Sequence, residues 1–258
     1  MTPKPNAPHE PDDERLRLNR YLARAGYGSR RGVETLVNER RVAINGEVVT
    51  DLSRRIDPER DKVRVDGLPV DLPQDFRVYA FHKPVGIVST MRSQGGQLSL
   101  VGFALRASIP GRFKPVGRLD ADSGGLLLWT DDGDLGQALL KPKSEVWKRY
   151  EVVLAKLLAP NAEKMLAAGK IVLDGYPVLR CRVHPDPEGN RRLWTLELHE
   201  GRKRQIRRMM AAVGAKVVTL TRTAIGPVEL GRLHEGDFRR LGRPEEEALR
   251  RAAGLLGS

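Results

Sequence analysis

One short segment, residues 116–128, constrains this chain more than any other. It places a basic residue and a carboxylate two positions apart, Arg118 and Asp120, then a serine and two glycines, and then a wholly apolar run. Continuous apolar residues after glycines are typical of a strand covered on both faces, so residues 126–129 predict a buried strand. Asp120 then lies on the loop that enters the core, where burial and a nearby cation can tune a carboxyl group. Aspartate before a glycine-rich turn is otherwise ordinary turn chemistry, so the segment by itself leaves both interpretations open.

The composition favours a nucleic-acid partner. The 258 residues include 45 Lys and Arg against 33 Asp and Glu, which gives a formal net charge of +12, and a surplus of this size indicates a polyanionic partner. No apolar run approaches the roughly 18 residues of a membrane span. The single cysteine, Cys181, excludes an internal disulfide, and the histidines lack metal-ligand spacing. We therefore expect a cytoplasmic protein without a metal and without a membrane contact.

The pattern along the chain predicts an α+β protein of two domains. Proline and charge dominate its start, and proline with polar residues interrupts the pattern again near residue 73. The predicted parts are a disordered leader over 1–14, a small domain of two helices plus short strands over 15–72, a linker over 73–76, a mainly antiparallel-sheet domain over 77–244, and a C-terminal helix or tail over 245–258. In the larger domain we predict strands over 78–82, 126–129, 150–154, 178–183, 193–198 and 217–221, and helices over 135–140, 160–168, 204–213 and 245–256.

The small domain carries a stripe of arginines. Helical spacing of apolar residues over 18–25, ended by Gly26, predicts one helix, and Ser29 can cap a second. The Asn45-Gly46 pair predicts a hairpin turn. The segment resembles the small RNA-binding domain named after ribosomal protein S-four, in which the helices present arginines to RNA phosphates. The stripe consists of Arg17, Arg20, Arg24, Arg30, Arg31, Arg40 and Arg41.

The segment Gly-Arg-Leu-Asp, Ser-Gly, Leu-Leu-Leu and Thr-Asp-Asp-Gly, which starts at Gly117, closely resembles the catalytic motif of the pseudouridine synthases of the RsuA/RluB type. The resemblance implies that Asp120 is the catalytic aspartate and that Arg118 helps to hold the target base out of its helix. Isomerising uridine needs a carboxylate and a pocket for an extruded base but no redox cofactor, so we expect no cofactor and no metal. Attack on the sugar C1′ and formation of a glycal both remain open for Asp120.

Two further segments extend the resemblance over roughly residues 15–241. Lys-Arg-Tyr-Glu-Val from Lys148 is similar to the family's Lys-x-Tyr-x-Val strand, which implies that Tyr150 stacks on the flipped uracil. Residues 200–209 are similar to the Gly-x-x-x-Gln-Ile-Arg-Arg-Met signature. By that resemblance Ile206 packs on the base and Arg207 bonds to Asp120. A basic helix start also favours phosphate, and for that role we name Arg202, Lys203, Arg204 and Arg208. Lys83, in a Lys-Pro-x-Gly segment, is either structural or phosphate-binding.

The resulting hypothesis is a ribosomal RNA pseudouridine synthase, closest to the RluB branch, which acts as a monomer on large-subunit precursor RNA. The alternatives are the same reaction on small-subunit RNA and a non-catalytic RNA-binding assembly factor on the same fold. A small-molecule hydrolase that uses Asp120 and Asp122 has little support, because the sequence lacks a metal or histidine partner for them.

Overall fold

The computed structural model describes residues 15–73, 75–91 and 98–256. The chain divides into two compact units, with the boundary between Asp75 and Phe76. The leader predicted over 1–14, one residue of the predicted linker and the last two residues of the predicted tail lie outside the described residues. Each unit is described by itself.

The first unit, as described from residue 15, packs two short helices against a small antiparallel sheet. Its elements are β1 (Leu16–Arg17), α1 (Leu18–Arg24), α2 (Val33–Asn38), β2 (Val42–Ile44), β3 (Glu47–Val48), β4 (Arg55–Ile56), β5 (Val63–Val65) and β6 (Leu68–Pro69). The sheet has the order β3-β2-β5-β6, and β1 pairs separately with β4. Alternation along β5 buries Val63 and Val65 against Leu18, Leu22 and Val33 of the helices, which form one core with them.

Two turns of this unit lie where the sequence predicts them, whereas the cap predicted at Ser29 is not formed, because α2 begins after Gly32 without a side-chain cap. Gly26, at φ +93°, follows α1 in a conformation that glycine adopts without strain. Asn45 and Gly46, at φ +53° and +91°, form the turn between β2 and β3, as an Asn-Gly pair is expected to. The Ser29 hydroxyl accepts a hydrogen bond from the Gly32 amide at 3.0 Å, one residue before α2 begins.

The predicted arginine stripe is spread over several elements. Arg17 belongs to β1, opposite Arg55 of β4, and not to the first helix. Arg41 follows α2, and its guanidinium binds the Asp66 carboxylate at 2.8 Å and 2.6 Å and Glu39 at 3.0 Å. Of the other members, Arg20 and Arg24 are half-buried on α1, and Arg30, Arg31 and Arg40 are exposed in the turns before and after α2.

The second unit is built on one large mixed sheet. Its elements are β7 (Val78–Lys83), α3 (Leu100–Arg106), β8 (Lys114–Pro115), β9 (Gly124–Thr130), α4 (Gly133–Leu140), β10 (Lys148–Leu154), α5 (Ala162–Ala167), β11 (Val172–Leu173), β12 (Tyr176–Pro177), β13 (Arg182–Pro185), β14 (Leu193–Leu198), α6 (Gln205–Ala212), β15 (Val217–Ile225), β16 (Val228–Glu229), β17 (Phe238–Arg240) and α7 (Arg243–Ala252). The strand order is β13-β14-β10-β15-β9-β7-β17. Neighbours along it are antiparallel except β9 and β15, which are parallel. The predicted α+β class, with a mainly antiparallel sheet, is confirmed.

Strand β9 is the centre of the core. Every residue of it is buried. Leu126 and Leu128 pack into the cluster under α4 and α7, whereas Leu127 and Trp129 pack into the cluster around Phe81 on the other face. The sequence prediction of a strand covered on both faces is confirmed, and the fully buried strand holds the loop in front of it, residues 117–123, in a fixed place.

Several elements differ from the predictions: α4 and β10 each begin two residues earlier, β15 continues to Ile225, and three further cases follow. The strand predicted over 178–183 begins only at Arg182, because the Leu179 amide donates to the Glu200 carboxylate at 2.8 Å instead of to a neighbouring strand. Helix α3 was not predicted. Helix α7 begins at Arg243, two residues before the predicted start, and Leu249 anchors it in the core of the second unit. No helix in the described ranges has the length and apolar character needed to cross a membrane.

Candidate active site

The loop that carries Asp120 is held from two sides. The Ser89 hydroxyl donates to the Leu119 carbonyl at 2.6 Å and accepts from the Leu119 amide at 3.1 Å. The Gly86 amide donates to the Ala121 carbonyl at 2.7 Å. Asp120 itself is half-buried at the entrance to β9. The segment after β7 therefore positions the backbone on both sides of Asp120.

Sheet register aligns four residues across the strands next to this loop. Lys83 of β7 lies opposite Gly125 of β9, Gly125 opposite Arg222 of β15, and Arg222 opposite Tyr150 of β10. Opposed residues point to the same face of a sheet, so the side chains of Lys83, Arg222 and Tyr150 share one face. Gly125 is required here, since a Cβ on it would lie 2.3 Å from the Arg222 carbonyl oxygen. We call these residues, without the glycine, the register row.

Lys83 is buried completely beneath the loop. Its ammonium donates to the Ser123 carbonyl at 2.8 Å and to the Pro84 carbonyl at 2.9 Å. Burial lowers the pKa of Lys83 to about 8, and the charges of Asp120 and Asp122 oppose that shift. Of the two roles considered for Lys83, these contacts favour the structural one, because both acceptors are backbone carbonyls of the site.

The start of α6 binds the loop through Asp122. Arg204 donates to both carboxylate oxygens of Asp122, at 3.1 Å and 2.8 Å. Arg207 donates to the Asp122 carbonyl at 2.6 Å, and its Nε lies 3.2 Å from Oδ2 without an aligned hydrogen bond. The hydrogen bond from Arg204, supported by the charge of Arg207, lowers the pKa of the Asp122 carboxyl.

The ion pair expected between Arg207 and Asp120 is therefore not the one that forms. Arg204, in a left-handed conformation at φ +51°, and Arg207 lie three residues apart, close to one face of the helix, so that both reach the same carboxylate. The carboxylate that the two arginines contact is that of Asp122. The sequence signal for Asp122 was present, since it follows Asp120 by two residues, but nothing in the sequence distinguishes which of the two the arginines contact.

Tyr150 and Ile206 lie in the same part of the site. Ile206 is buried in the core cluster against which the half-buried Tyr150 packs. The Tyr150 hydroxyl lies 3.5 Å from Nη1 of Arg222, whose guanidinium is 5.9 Å from the centre of the tyrosine ring. The structure thus brings together Tyr150, Ile206 and Arg222, a residue that was not among the predicted site residues.

Two further arginines of the segment 200–209, Arg202 and Arg208, bind other parts of the second unit. Arg202 donates to Glu200 and to the carbonyls of Leu173, Tyr176 and Pro177, the last at 2.6 Å. Arg208 binds Asp174 with two bonds of 2.8 Å. Both therefore attach the β11–β12 hairpin to α6, which the sequence did not indicate.

Lys203 and Arg118 are exposed, and neither side chain forms a hydrogen bond or ion pair with another described residue. These two cations remain available to a ligand of the site. Metal ligands are not grouped: within the described ranges, three or more His, Cys, Asp or Glu side chains do not lie together as a metal site would need.

Comparison with known proteins agrees with this arrangement. The family described as RNA pseudouridylate synthase matches residues 77–212, and the S4 domain matches residues 16–62. An uncharacterised RNA pseudouridine synthase of Mycobacterium leprae is 39% identical over 242 residues, which cover 93% of this chain and 94% of the relative. Ribosomal large subunit pseudouridine synthase B of Bacillus subtilis is 34% identical over 239 residues, 92% of this chain and 96% of the relative.

A solved structure also matches. A crystal structure described as a pseudouridylate synthase aligns with a TM-score of 0.64 at 32% identity, and the alignment covers 91% of this chain and 99% of that one. Both matched family regions contain the motifs from which the resemblance was inferred, with Asp120, Tyr150 and Arg207 all inside residues 77–212. The chain therefore belongs to the RNA pseudouridylate synthase family, as a member of the RsuA/RluB type with an N-terminal S4 domain.

Proposed function

We propose that this protein converts one uridine of large-subunit ribosomal RNA into pseudouridine, and that Asp120 is the essential carboxylate. The observation that carries the proposal is the position of Asp120. It is half-buried in a loop held at Leu119 and Ala121, and its charge acts on Lys83, the buried lysine of the register row. The protein acts as a monomer in the cytoplasm in this proposal.

The reaction exchanges one bond to the sugar for another. The N1–C1′ bond breaks, the base turns over, C5 bonds to C1′, and the proton on C5 is lost while N1 gains one. Atoms and electrons balance within the nucleotide, so the reaction needs positioning and acid–base groups rather than an oxidant or a reductant. Asp120 acts as a carboxylate in either version of the first step, by attack on C1′ or by removal of a sugar proton.

The neighbouring residues supply a place for the extruded base. A flipped uracil needs a stacking surface and apolar packing in exchange for the neighbours it leaves. Tyr150 and Ile206 provide an aromatic face and a buried aliphatic side chain in one cluster, and stacking on an aromatic ring contributes about 1–3 kcal/mol per base. Arg118, exposed beside Asp120, is suited to fill the space that the base leaves or to contact the flanking phosphates.

The loop contacts assign different tasks to the arginines of α6. In this proposal Arg204 and Arg207 hold the loop through Asp122, and Lys203 contacts RNA phosphate. Arg202 and Arg208 act through the β11–β12 hairpin, because their donors are already engaged there. The arginines of the first unit bind phosphate without reading sequence, as Arg30, Arg31 and Arg40 are exposed.

Two other functions remain as alternatives. Action on small-subunit RNA is the first, and the relative in Bacillus subtilis, a large-subunit enzyme by name, favours the large subunit over it. A non-catalytic RNA-binding factor is the second. That alternative predicts no need for an acid group at the entrance to β9, whereas Asp120, Tyr150 and Arg207 are all present.

One experiment tests both the reaction and the substrate. Pseudouridines are mapped in ribosomal RNA from cells with the gene, without it, and with only the Asp120→Asn variant. We expect one large-subunit position to lose its pseudouridine in the deletion strain and in the variant strain alike. A lost position in small-subunit RNA would overturn the substrate, and an unchanged map would overturn the enzymatic function.

A further inference from the structure

Three cations of the second unit are buried, and the proposed function gives no role to one of them, Arg222. Lys83, Lys148 and Arg222 are 0%, 7% and 4% exposed. Within the part of the chain that the structure describes, no carboxylate lies within ion-pair distance of any of them. Burial lowers the pKa of Lys148 to about 8, and the charge of Arg222 adds to that shift. A buried cation without an ion-pair partner costs free energy, and a negative charge that a ligand brings would offset that cost.

Arg222 is the member of this cluster with unused bonding capacity. Its Nε donates to the Leu126 carbonyl at 2.7 Å, and its Nη1 lies at the limit of bonding, 3.5 Å from the Tyr150 hydroxyl. Its Nη2 is buried and has no hydrogen-bond partner among the residues that the structure describes. An arginine guanidinium is a cation with five N–H donors and no acceptor, so this group can offer a ligand both charge and a hydrogen-bond donor.

The position of Arg222 is determined by backbone contacts. It lies between Gly125 and Tyr150 in the register row, and the parallel pairing of β15 with β9 brings its backbone against Gly125. The side chain thus connects the strand that follows the Asp120 loop to the strand that carries Tyr150. A charge fixed in this way needs no rearrangement when the charge of a bound reactant changes.

The proposed reaction generates a negative charge on the base. When N1–C1′ breaks, its electron pair stays on the uracil, and the anion is shared between N1 and the ring carbonyl oxygens until C5 bonds to C1′. If the uracil stacks on Tyr150, that charge forms on the ring's neighbour, and the Arg222 guanidinium lies 5.9 Å from the centre of the same ring. Fixed positive charge in a water-poor site stabilises such an anion more than it stabilises the neutral base.

We infer that Arg222 is a further functional residue of this site, which stabilises the uracil anion after glycosidic cleavage and holds Tyr150 in its stacking position. The inference rests on the proposed isomerisation and adds to it a residue outside the three recognised motif segments around Asp120, Tyr150 and Arg207. The opposing view is that Arg222 only links β9 to β15.

The test compares two substrates with each enzyme preparation. One RNA carries uridine at the target position, and the other carries 5-fluorouridine, whose fluorine makes the ring a more stable anion. Fluorine cannot leave C5 as a proton, so the readout for both is loss of the parent nucleoside in a single-turnover digest. Because each rate ratio comes from one preparation, any unfolded fraction of a variant cancels.

The variants are Arg222→Met and Arg222→Lys, and the matched control is Arg182→Met, which removes a guanidinium from the opposite face of the same sheet. On uridine we expect Arg222→Met to lose about 100-fold or more in rate at saturating RNA. RNA affinity should change less than about threefold, and Arg222→Lys should recover part of the rate. On 5-fluorouridine the loss should shrink by about tenfold.

Equal losses on the two substrates would overturn the inference, because a purely structural residue does not distinguish leaving groups. A full rate in Arg222→Met on uridine would overturn it as well. Inactivity of the unsubstituted protein on every RNA would instead refute the proposed function, and that result is distinct from either outcome for Arg222.

Discussion

Two carboxylates in one loop, Asp120 and Asp122, have different partners although they are two residues apart. Arg204 and Arg207 bind Asp122, and within the described ranges neither arginine lies within ion-pair distance of Asp120. The pairing depends on where α6 begins relative to a loop 82 positions away. Sequence reasoning could name Asp120 from its motif, but it could not foresee this division because no local pattern encodes it.

The division makes a prediction about the two aspartates. Asp120→Asn should abolish pseudouridine formation with RNA affinity nearly unchanged, because the amide retains the shape and loses the reactive charge. Asp122→Asn should lower the single-turnover rate by about tenfold, since Arg207 keeps its bond to the backbone carbonyl, whereas Arg204 loses one of its two acceptor oxygens and the ion pair. Single-turnover assays at saturating RNA measure both. Equal rates for the two variants would contradict the assignment of Asp120.

Lys148 predicts a pH dependence of stability. Its pKa of about 8 lies below the ordinary 10.5, so the unfolded chain binds more protons between these values and stability rises with pH in that window. Relative to Lys148→Met, the unsubstituted protein should gain about 2–3 kcal/mol in the free energy of unfolding from pH 8 to 10.5. The comparison is needed because the raised pKa of the Cys181 thiol, about 11, acts in the opposite direction. Denaturant titrations at four pH values measure the difference. If the free energy of unfolding depended on pH equally in the two proteins, burial would not lower the pKa of Lys148.

Elements were predictable where their pattern is local. Strand β14 has the predicted bounds, and β9 contains the predicted apolar run with its glycines added. Helix α3 was missed because its seven residues include a glycine and its buried side chains, Leu100 and Ala104, gain their contacts from β7 and β9. The strand predicted over 178–183 begins later for a similar reason, since the Leu179 amide donates to Glu200, 21 positions further along the chain.

The β11–β12 hairpin binds two arginines, Arg202 and Arg208, that the sequence analysis assigned to RNA phosphate. Arg202 donates to three of its carbonyls, and Arg208 binds Asp174 at its turn. Arg202→Ala should therefore destabilise the hairpin by about 1–3 kcal/mol. The Val178 amide, which donates to Ile171 at the base of the hairpin, should exchange faster with deuterium.

The adjacent Lys203 is the control for that variant. Lys203→Ala should leave exchange at Val178 unchanged and weaken RNA binding, because its side chain is exposed and unengaged by described residues. Hydrogen exchange followed by mass spectrometry distinguishes the two variants. Unchanged exchange in Arg202→Ala would show that the hairpin is stable without it and would return Arg202 to the phosphate-binding residues.

At the scale of the whole molecule, the net charge of +12 is shared by two units with separate cores, and the two use arginine differently. In the second unit most arginines of the 202–208 segment are engaged with carboxylates or carbonyls. In the first unit Arg30, Arg31 and Arg40 are exposed. General attraction to RNA is therefore expected from the first unit, while the second positions the reacting groups.

This division predicts different salt dependences for two adjacent residues, Arg40 and Arg41. Each phosphate contact that is lost should reduce the slope of log affinity against log salt by about 1. Arg40→Gln should show that reduction, because no described residue engages its side chain. Arg41→Gln should show a smaller reduction, because Asp66 and Glu39 already neutralise that guanidinium.

RNA binding is measured over a range of salt concentrations with the full chain in each case, and the maximal rate should be the same for both variants. If Arg41→Gln reduced the slope as much as Arg40→Gln, the ion pairs of Arg41 would have to break when RNA binds. The structure of the free protein would then not show which arginines contact phosphate.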